Sequence, residues 1–235
     1  RRQVGMARLA AAQGLARRGQ RSEAAKVFRQ LYTQETFDPL RVGGLRGLIM
    51  AEPTQATELL MAALTEGDGP LRKLAVRLLV ERPADYPLAP FLEKLPTLPA
   101  SEQVALLEAV RLRGEPSARA AVRNACDSRE TEVRLAALRA MAAVGNAEDV
   151  IFLAKVAVGE APECAAGRLA LASMPGPEPD RTILEQLPGA QPSVRIELIR
   201  ALAARGIRAG AALLPDQLSQ SNDAVRQAAL EALAG

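Results

Sequence analysis

Residues 131–141 read TEVRLAALRAM, and a version of this stretch returns along the whole chain. The residue that corresponds to Arg134 in each copy is called the reference position below. The reference positions are Arg8, Arg41, Arg72, Gln103, Arg134, Ala165, Arg195 and Arg226. They lie 33, 31, 31, 31, 31, 30 and 31 residues apart. A period of roughly 20–50 residues is typical of a repeat array, in which one helical or stranded unit stacks on the next.

Each copy carries the pattern of an amphipathic helix. Apolar residues stand four and seven positions after every reference position, and this spacing places both on one helix face. The first set is Ala12, Leu45, Val76, Leu107, Leu138, Leu169, Ile199 and Leu230, and the second is Leu15, Leu48, Leu79, Val110, Met141, Ala172, Leu202 and Leu233. We therefore expect this stripe to form the core.

Prolines and glycines mark where these helices begin and end. Asp38-Pro39 and Gly69-Pro70 place a proline in the first turn of a helix, where its missing N–H is not needed. Eleven residues after five of the reference positions stand Gly19, Gly114, Gly145, Gly176 and Gly206. Because glycine adopts the left-handed conformation that ends a helix at little cost, we expect a positive φ at these glycines.

A second, less regular apolar helix lies between successive copies. These helices are predicted at Ser22–Thr33, Thr54–Leu64, Leu88–Leu95, Ser117–Cys126, Glu148–Val158, Asp180–Leu187 and Ala209–Leu218. Each repeat is thus a helical hairpin that cannot bury its apolar surface alone, so the hairpins must stack. The sequence predicts an all-α fold, a right-handed α-solenoid of about seven stacked hairpins that runs as a single array over residues 1–235.

Four of the copies support a family resemblance. They contain Asp38-Pro39-Leu40-Arg41, residues 131–138, Pro192-Ser193-Val194-Arg195 and Asp223-Ala224-Val225-Arg226. These segments resemble the second-helix signature of HEAT repeats, in the short form of phycobilin-lyase-type HEAT-like proteins. The resemblance spans essentially the whole chain but lapses at Gln103 and Ala165, and residues 19–32 are also similar to a tetratricopeptide hairpin. It implies that the second helix of each hairpin lines an inner, concave surface.

Composition narrows the classes of function. With 49% hydrophobic and 24% charged residues, the chain is not of the disordered class. It contains no histidine, which excludes a catalytic histidine and a histidine-bound metal, and we expect no cofactor. No apolar run approaches the roughly 20 residues that span a bilayer. The chain starts at Arg1-Arg2 without methionine, so we expect it to be a piece of a longer protein. Its compartment is left open between the cytoplasm and, if a signal peptide has been removed, the periplasm.

Two roles are open for the arginines at the reference positions. They are either ligands for an acidic partner or members of a structural ladder. In HEAT-like arrays the matching residue pairs with acidic or carbonyl groups of the adjacent unit. Because a buried charge has to be paired, the ladder is the favoured interpretation.

A second row of charged residues stands five positions after the reference positions. The row reads Gln13, Arg46, Arg77, Glu108, Arg139, Ala170, Arg200 and Glu231. The resemblance implies that this row faces the groove, so Arg46, Arg77, Arg139 and Arg200 are the candidate partner-binding residues. Guanidinium groups at such positions bind carboxylates or phosphates, whereas the alternative is a helix face that is merely solvated.

Catalytic chemistry finds little support among the remaining residues. Cys164 takes a position held in other copies by Val133 and Val194, so we expect a small core side chain there. Without histidine, neither Cys126 nor Cys164 has the usual base that activates a thiol. Gly43-Gly44 lies inside a predicted helix, where we expect close packing or a kink rather than a ligand site.

Two functions follow from this pattern. The first is a non-catalytic scaffold that binds a protein partner or an acidic peptide on the concave helix face. The alternative is a nucleic-acid binder that uses the groove arginines against phosphates. The net charge of only +3 favours the scaffold, because this composition is not typical of a protein that binds a polyanion. The aromatic content of 3% also favours it, because few rings are left for stacking on bases.

Overall fold

The chain is all-α, as the sequence predicts. The computed structural model describes residues 2–83, 86–206, 214–219 and 222–234. Those residues form fifteen α-helices and no β-strand: α1 (Arg2–Arg17), α2 (Arg21–Gln34), α3 (Asp38–Ala51), α4 (Ala56–Thr65), α5 (Gly69–Glu81), α6 (Ala89–Lys94), α7 (Ala100–Arg113), α8 (Arg119–Ala125), α9 (Thr131–Val144), α10 (Val150–Val158), α11 (Glu163–Ser173), α12 (Glu178–Gln186), α13 (Pro192–Ala204), α14 (Leu214–Leu218) and α15 (Asp223–Ala234). Within the described ranges, no helix has the combination of length and apolar character that a bilayer crossing needs.

The order of the helices follows the repeat. The odd-numbered helices are the eight copies of the repeated stretch, and the even-numbered helices are the seven that were predicted between them. Short 3₁₀ turns at Pro53–Gln55, Pro116–Ala118 and Ala147–Asp149 lead into α4, α8 and α10. Of the helix predicted at Ala209–Leu218, residues 209–213 lie outside the described residues, and α14 accounts for the rest.

The helices form two compact units, Arg1–Ala109 and Val110–Gly235, with the boundary inside α7. In the first unit, α2 packs against α1 and α3, α4 packs against α5, and α3 contacts both α1 and α5. In the second unit, α8 packs against α9, α10 against α11 and α14 against α15, while α9, α11, α13 and α15 contact one another in that order. Inside each unit, successive copies of the repeat therefore pack on one another.

The predicted core stripe is buried in most copies. Ten of its sixteen residues are buried: Ala12, Leu45, Leu48, Leu79, Leu107, Val110, Leu138, Met141, Ile199 and Leu202. Leu15, Val76 and Ala172 are half-buried. The prediction is wrong at Leu169, Leu230 and Leu233, whose side chains are exposed.

A one-residue shift of register explains the exposed leucine of α11. This helix buries Ala166, Gly167, Ala170 and Leu171, which follow the buried Ala136, Ala137, Ala140 and Met141 of α9 by 30 residues each. The residue that corresponds to Arg134 is therefore Cys164 and not Ala165. Because the chain is one residue shorter there, Leu169 falls on the outer face.

Four of the five predicted terminal glycines have a positive φ. The φ angle is 81° at Gly19 and Gly176 and 63° at Gly114 and Gly206. The prediction is wrong at Gly145, where φ is −65°. A Cβ at Gly145 would lie 2.6 Å from the Met141 carbonyl oxygen and 2.9 Å from Met174 Sδ, so this glycine serves close packing instead.

Close packing also explains Gly43-Gly44, as predicted. A Cβ at Gly44 would lie 2.6 Å from the Tyr32 nitrogen and 2.8 Å from the Phe28 carbonyl oxygen, both in α2. Backbone atoms cannot move aside as a flexible side chain does, so only glycine allows α3 to approach α2 this closely.

Substitution of two leucines at equivalent predicted positions tests this register. Leu138→Ala removes a side chain that is 2% exposed, and we expect a loss of about 2–5 kcal/mol in the free energy of unfolding. Leu169→Ala removes one that is 57% exposed, and we expect a change below about 0.5 kcal/mol. Denaturant unfolding of both variants measures the two values, and equal losses would show that the shifted register of α11 is wrong.

Candidate functional site

Arginines at the reference positions are held inside the fold by acidic residues. The pairs are Arg41 with Asp68, Arg72 with Glu102 and Arg134 with Glu163, and in each pair the acid belongs to the next hairpin. Arg134 Nη2 lies 2.8 Å from Glu163 Oε1, and Arg134 Nε lies 3.1 Å from the same oxygen. The predicted ladder with acidic groups of the adjacent unit is confirmed for these three arginines.

Some arginines at the reference positions also bind backbone carbonyls. Arg134 Nη1 donates to the carbonyl oxygens of Ser128 and Arg129, both at 3.0 Å, and Arg195 Nη2 donates to that of Pro188 at 2.9 Å. These carbonyls lie just after the C-terminus of the even-numbered helix in the same hairpin. The last carbonyl groups of a helix have no hydrogen-bond partner within it, and the helix C-terminus favours positive charge. The carbonyl partners thus belong to the arginine's own hairpin, not to the adjacent unit as expected.

These ion pairs shift the acidity of their carboxyl groups. The hydrogen bond from Arg41 lowers the pKa of Asp68 below its ordinary value, and the hydrogen bond from Arg134 does the same to the pKa of Glu163. A carboxyl group with a lowered folded-state pKa stabilises the fold above its unfolded-state pKa and loses this contribution as the pH falls through the folded value. Both pairs therefore stabilise the packing of hairpins at neutral pH.

The four candidate partner-binding arginines are all exposed, and they differ in their contacts. Arg46 Nη2 lies 3.5 Å from Glu81 Oε2, and Arg77 Nε donates to Glu81 Oε1 at 2.6 Å, so Glu81 joins these two arginines in the first unit. The hydrogen bond from Arg77 lowers the pKa of Glu81 and keeps it ionised. In the second unit, Arg139 makes no side-chain hydrogen bond or ion pair with any described residue.

Arg200 belongs to a charge cluster around the buried Glu197. Its Nη1 lies 2.7 Å from Glu197 Oε1, and Arg168 binds the same carboxylate through Nε at 2.7 Å and Nη2 at 2.9 Å. The Glu197 side chain is 4% exposed, and the hydrogen bond to it raises the pKa of Arg168. The cluster borders a cleft of about 380 Å³ with the exposed Leu169 on its wall. Ala170, predicted in the row of candidate residues, is buried instead because of the shift in α11.

A larger cavity of about 420 Å³ lies among α1, α2 and α3 in the first unit. Three arginines line it, namely Arg17 at the end of α1, Arg21 at the start of α2 and Arg46 on α3. The other lining residues are Gln13, Ala16, Phe28, Gly43, Gly47, Met50 and Ala51, so no Asp or Glu among the described residues lines it. We call this cavity, with its three arginines, the arginine pocket.

Two glycines on α3 allow side chains of α1 and α2 to pack closely beside the arginine pocket. A Cβ at Gly47 would overlap the ring of Phe28, and a Cβ at Gly43 would lie 2.8 Å from Leu9 Cδ2. The Phe28 ring therefore packs directly on the α3 backbone, and Phe28 is one of the residues that line the pocket. The sequence analysis found Arg46 and missed Arg17 and Arg21, although Arg17-Arg18-Gly19-Gln20-Arg21 concentrates three arginines at one helix junction.

The two thiols occupy different environments. Cys126 is 7% exposed, and burial raises the pKa of its thiol to about 12. Cys164 is half-buried, so its predicted place in the core is wrong, and the cause is again that it corresponds to Arg134 rather than to Val133. The described residues contain no cluster of three or more Cys, Asp or Glu side chains placed to hold a metal ion.

Comparison with known proteins adds little. No family model matches the chain, and no curated protein matches it. Among solved structures, the crystal structure of an engineered protein from the Northeast Structural Genomics Consortium is similar, with 18% sequence identity and a TM-score of 0.43. The similarity covers 90% of this chain and 70% of that chain, and it carries no information about function.

Alkylation distinguishes the two thiols. At pH 7 a thiol with a pKa of about 12 is ionised to a fraction of only about 10⁻⁵, and Cys126 is also shielded by burial. We expect iodoacetamide to modify Cys164 in the native protein and to leave Cys126 intact, as followed by mass spectrometry of the digested chain. Both thiols should react after denaturation, and equal rates in the native state would contradict the burial of Cys126.

Proposed function

We propose that this protein is a non-catalytic interaction module that binds an acidic peptide segment of a partner protein through exposed arginines. The observation that carries the proposal is the arginine pocket, where three guanidinium groups border a cavity of about 420 Å³ without a carboxylate in its lining. A carboxylate-bearing ligand supplies the charge that this arrangement lacks.

The contacts of the arginines support a binding role for some and a structural role for others. The side chains of Arg17 and Arg21 have no hydrogen bond or ion pair with a described residue, and Arg46 has only the 3.5 Å contact with Glu81. Arg134, in contrast, uses its guanidinium group fully on acceptors of the fold. A ligand can therefore bind at the pocket without breaking a strong internal pair.

The size of the electrostatic binding energy indicates an extended partner. An exposed ion pair contributes roughly 0.2–1 kcal/mol, so three arginines give about 0.6–3 kcal/mol. Micromolar affinity requires about 8 kcal/mol. The partner must therefore make further contacts, and the exposed Arg77, next to Arg46 in the same unit, is the proposed site for them.

The proposal includes the architecture of the array. We assign a right-handed, HEAT-like α-solenoid in which the odd-numbered helices line the concave face. Support comes from the period of about 31 residues and from the contacts between successive odd-numbered helices within each unit. In this arrangement the residues five positions after the reference positions face the partner.

Charge reversal in the pocket tests the proposed function. We expect Arg17→Glu combined with Arg46→Glu to weaken binding of a fluorescein-labelled oligoglutamate peptide at least about tenfold in about 50 mM salt, because attraction becomes repulsion. Fluorescence anisotropy measures the affinity. Both side chains are exposed, so the melting temperature should stay nearly unchanged.

A control variant with the same change in net charge distinguishes an effect of the pocket from an effect of the protein's total charge. Arg129→Glu combined with Arg181→Glu alters two exposed arginines outside the pocket, and we expect less than about a twofold change in affinity. Equal weakening by both double variants would reject the pocket as the binding site. Tighter binding of labelled RNA or DNA than of the peptide would favour the nucleic-acid alternative and contradict the proposal.

A further inference from the structure

We infer that the arginine pocket recognises an acidic residue together with a bulky apolar side chain of the same peptide segment. This inference rests on the proposed function and specifies the motif of the partner. The pocket combines two kinds of surface, because guanidinium groups stand at Arg17, Arg21 and Arg46 while the rest of the lining is mainly apolar.

The apolar part of the lining is available to a ligand. Met50 is 70% exposed, the highest value among the exposed large hydrophobic side chains of the described residues. Methionine adapts its shape to different partners and is favoured at surfaces that bind peptides. Ala16 and Ala51, both half-buried, complete the accessible apolar lining beside Met50, while the Phe28 ring, which is 2% exposed, offers almost no surface to a ligand.

Only a ligand of mixed character uses both surfaces. A purely acidic segment satisfies the arginines and leaves Met50 in water, whereas a purely apolar segment covers Met50 and gains nothing from the three charges. Burial of apolar area adds to the electrostatic contribution, since the two involve different atoms of the pocket. An acidic residue next to a leucine-sized side chain is thus the best match.

The arginines extend beyond the cavity, which favours a peptide over a small acid. Arg46 approaches Glu81 on α5, and the same carboxylate binds Arg77. The two guanidinium groups share the single Glu81 carboxylate, so a net positive charge remains where the pocket meets the next hairpin of the first unit. An extended chain reaches both Arg46 and Arg77, whereas a small amphiphilic acid fills the cavity alone.

The cleft of the second unit provides the contrast. It also combines arginines with apolar residues, but Arg168 and Arg200 are both held by Glu197 at hydrogen-bond distance. Both of its guanidinium groups are thus held by one buried carboxylate of the fold, whereas Arg17 and Arg21 of the arginine pocket have no such partner among the described residues. Leu169 on its wall therefore serves as a matched control for Met50.

Paired peptides test the inference on the full chain. One labelled peptide alternates glutamate with leucine, and the other alternates glutamate with serine, so both carry the same charge. We expect the wild-type protein to bind the leucine peptide roughly tenfold more tightly, because the leucines bury apolar area against Met50. Met50→Gln should remove most of this preference and leave the affinity for the serine peptide within about twofold. Leu169→Gln should leave both affinities unchanged.

Each other outcome has a distinct meaning. Equal affinities of the two peptides for the wild-type protein would overturn the mixed motif and leave the proposed acidic-peptide function standing. A preference that survives Met50→Gln but is lost in Leu169→Gln would overturn the inference by moving the site to the second unit. If octanoate binds more tightly than the leucine peptide, the pocket takes a small acid and the inference is overturned. Failure of both peptides to bind would reject the proposed function together with it.

Discussion

Close approach of helix backbones is the constraint on which the rest of this structure depends. Three residues after the reference position, the odd-numbered helices carry a small buried residue in five copies, when Cys164 is taken as the reference position of α11. These residues are Gly44, Ala75, Ala137, Gly167 and Ala229. At Gly167, a Cβ would lie 3.2 Å from the Ala157 nitrogen of α10. In these five copies the small side chain allows the odd-numbered helix to come close to its even-numbered neighbour, and larger apolar side chains fill the remaining space at normal packing density.

The same packing divides the arginines into two groups. Those at the reference positions, such as Arg134, lie where a hairpin ends against the next one, and they bind carbonyls and acids of the fold. Those five positions further on, such as Arg46 and Arg139, lie on the opposite side of the helix and are exposed. Position within the repeat thus separates arginines that are half-buried against the next hairpin from arginines that are exposed.

The local sequence pattern was sufficient to predict the helices but not to predict the candidate site. The period and the apolar spacing located all eight odd-numbered helices, since each copy encodes its own burial. The register of α11 was not predicted. The chain is one residue shorter before this helix, and the residue at the predicted core position, Leu169, is apolar although it is exposed. The apolar pattern therefore gave no sign of the shift. The arginine pocket was missed because Arg17, Arg21 and Arg46 come from three helices, and only their packing through Gly43 and Gly47 brings these side chains around one cavity.

Comparison of two glycine substitutions tests the central claim most directly. Gly44→Ala places a methyl group against the α2 backbone, whereas Gly14→Ala on α1 meets only the end of the Arg18 side chain at 3.4 Å. Denaturant unfolding should show a loss of about 1–3 kcal/mol or more for Gly44→Ala and a gain of up to about 1 kcal/mol for Gly14→Ala, because alanine is the better helix former. A similar gain in both variants would contradict the account, since it would mean that α3 and α2 are not in close contact.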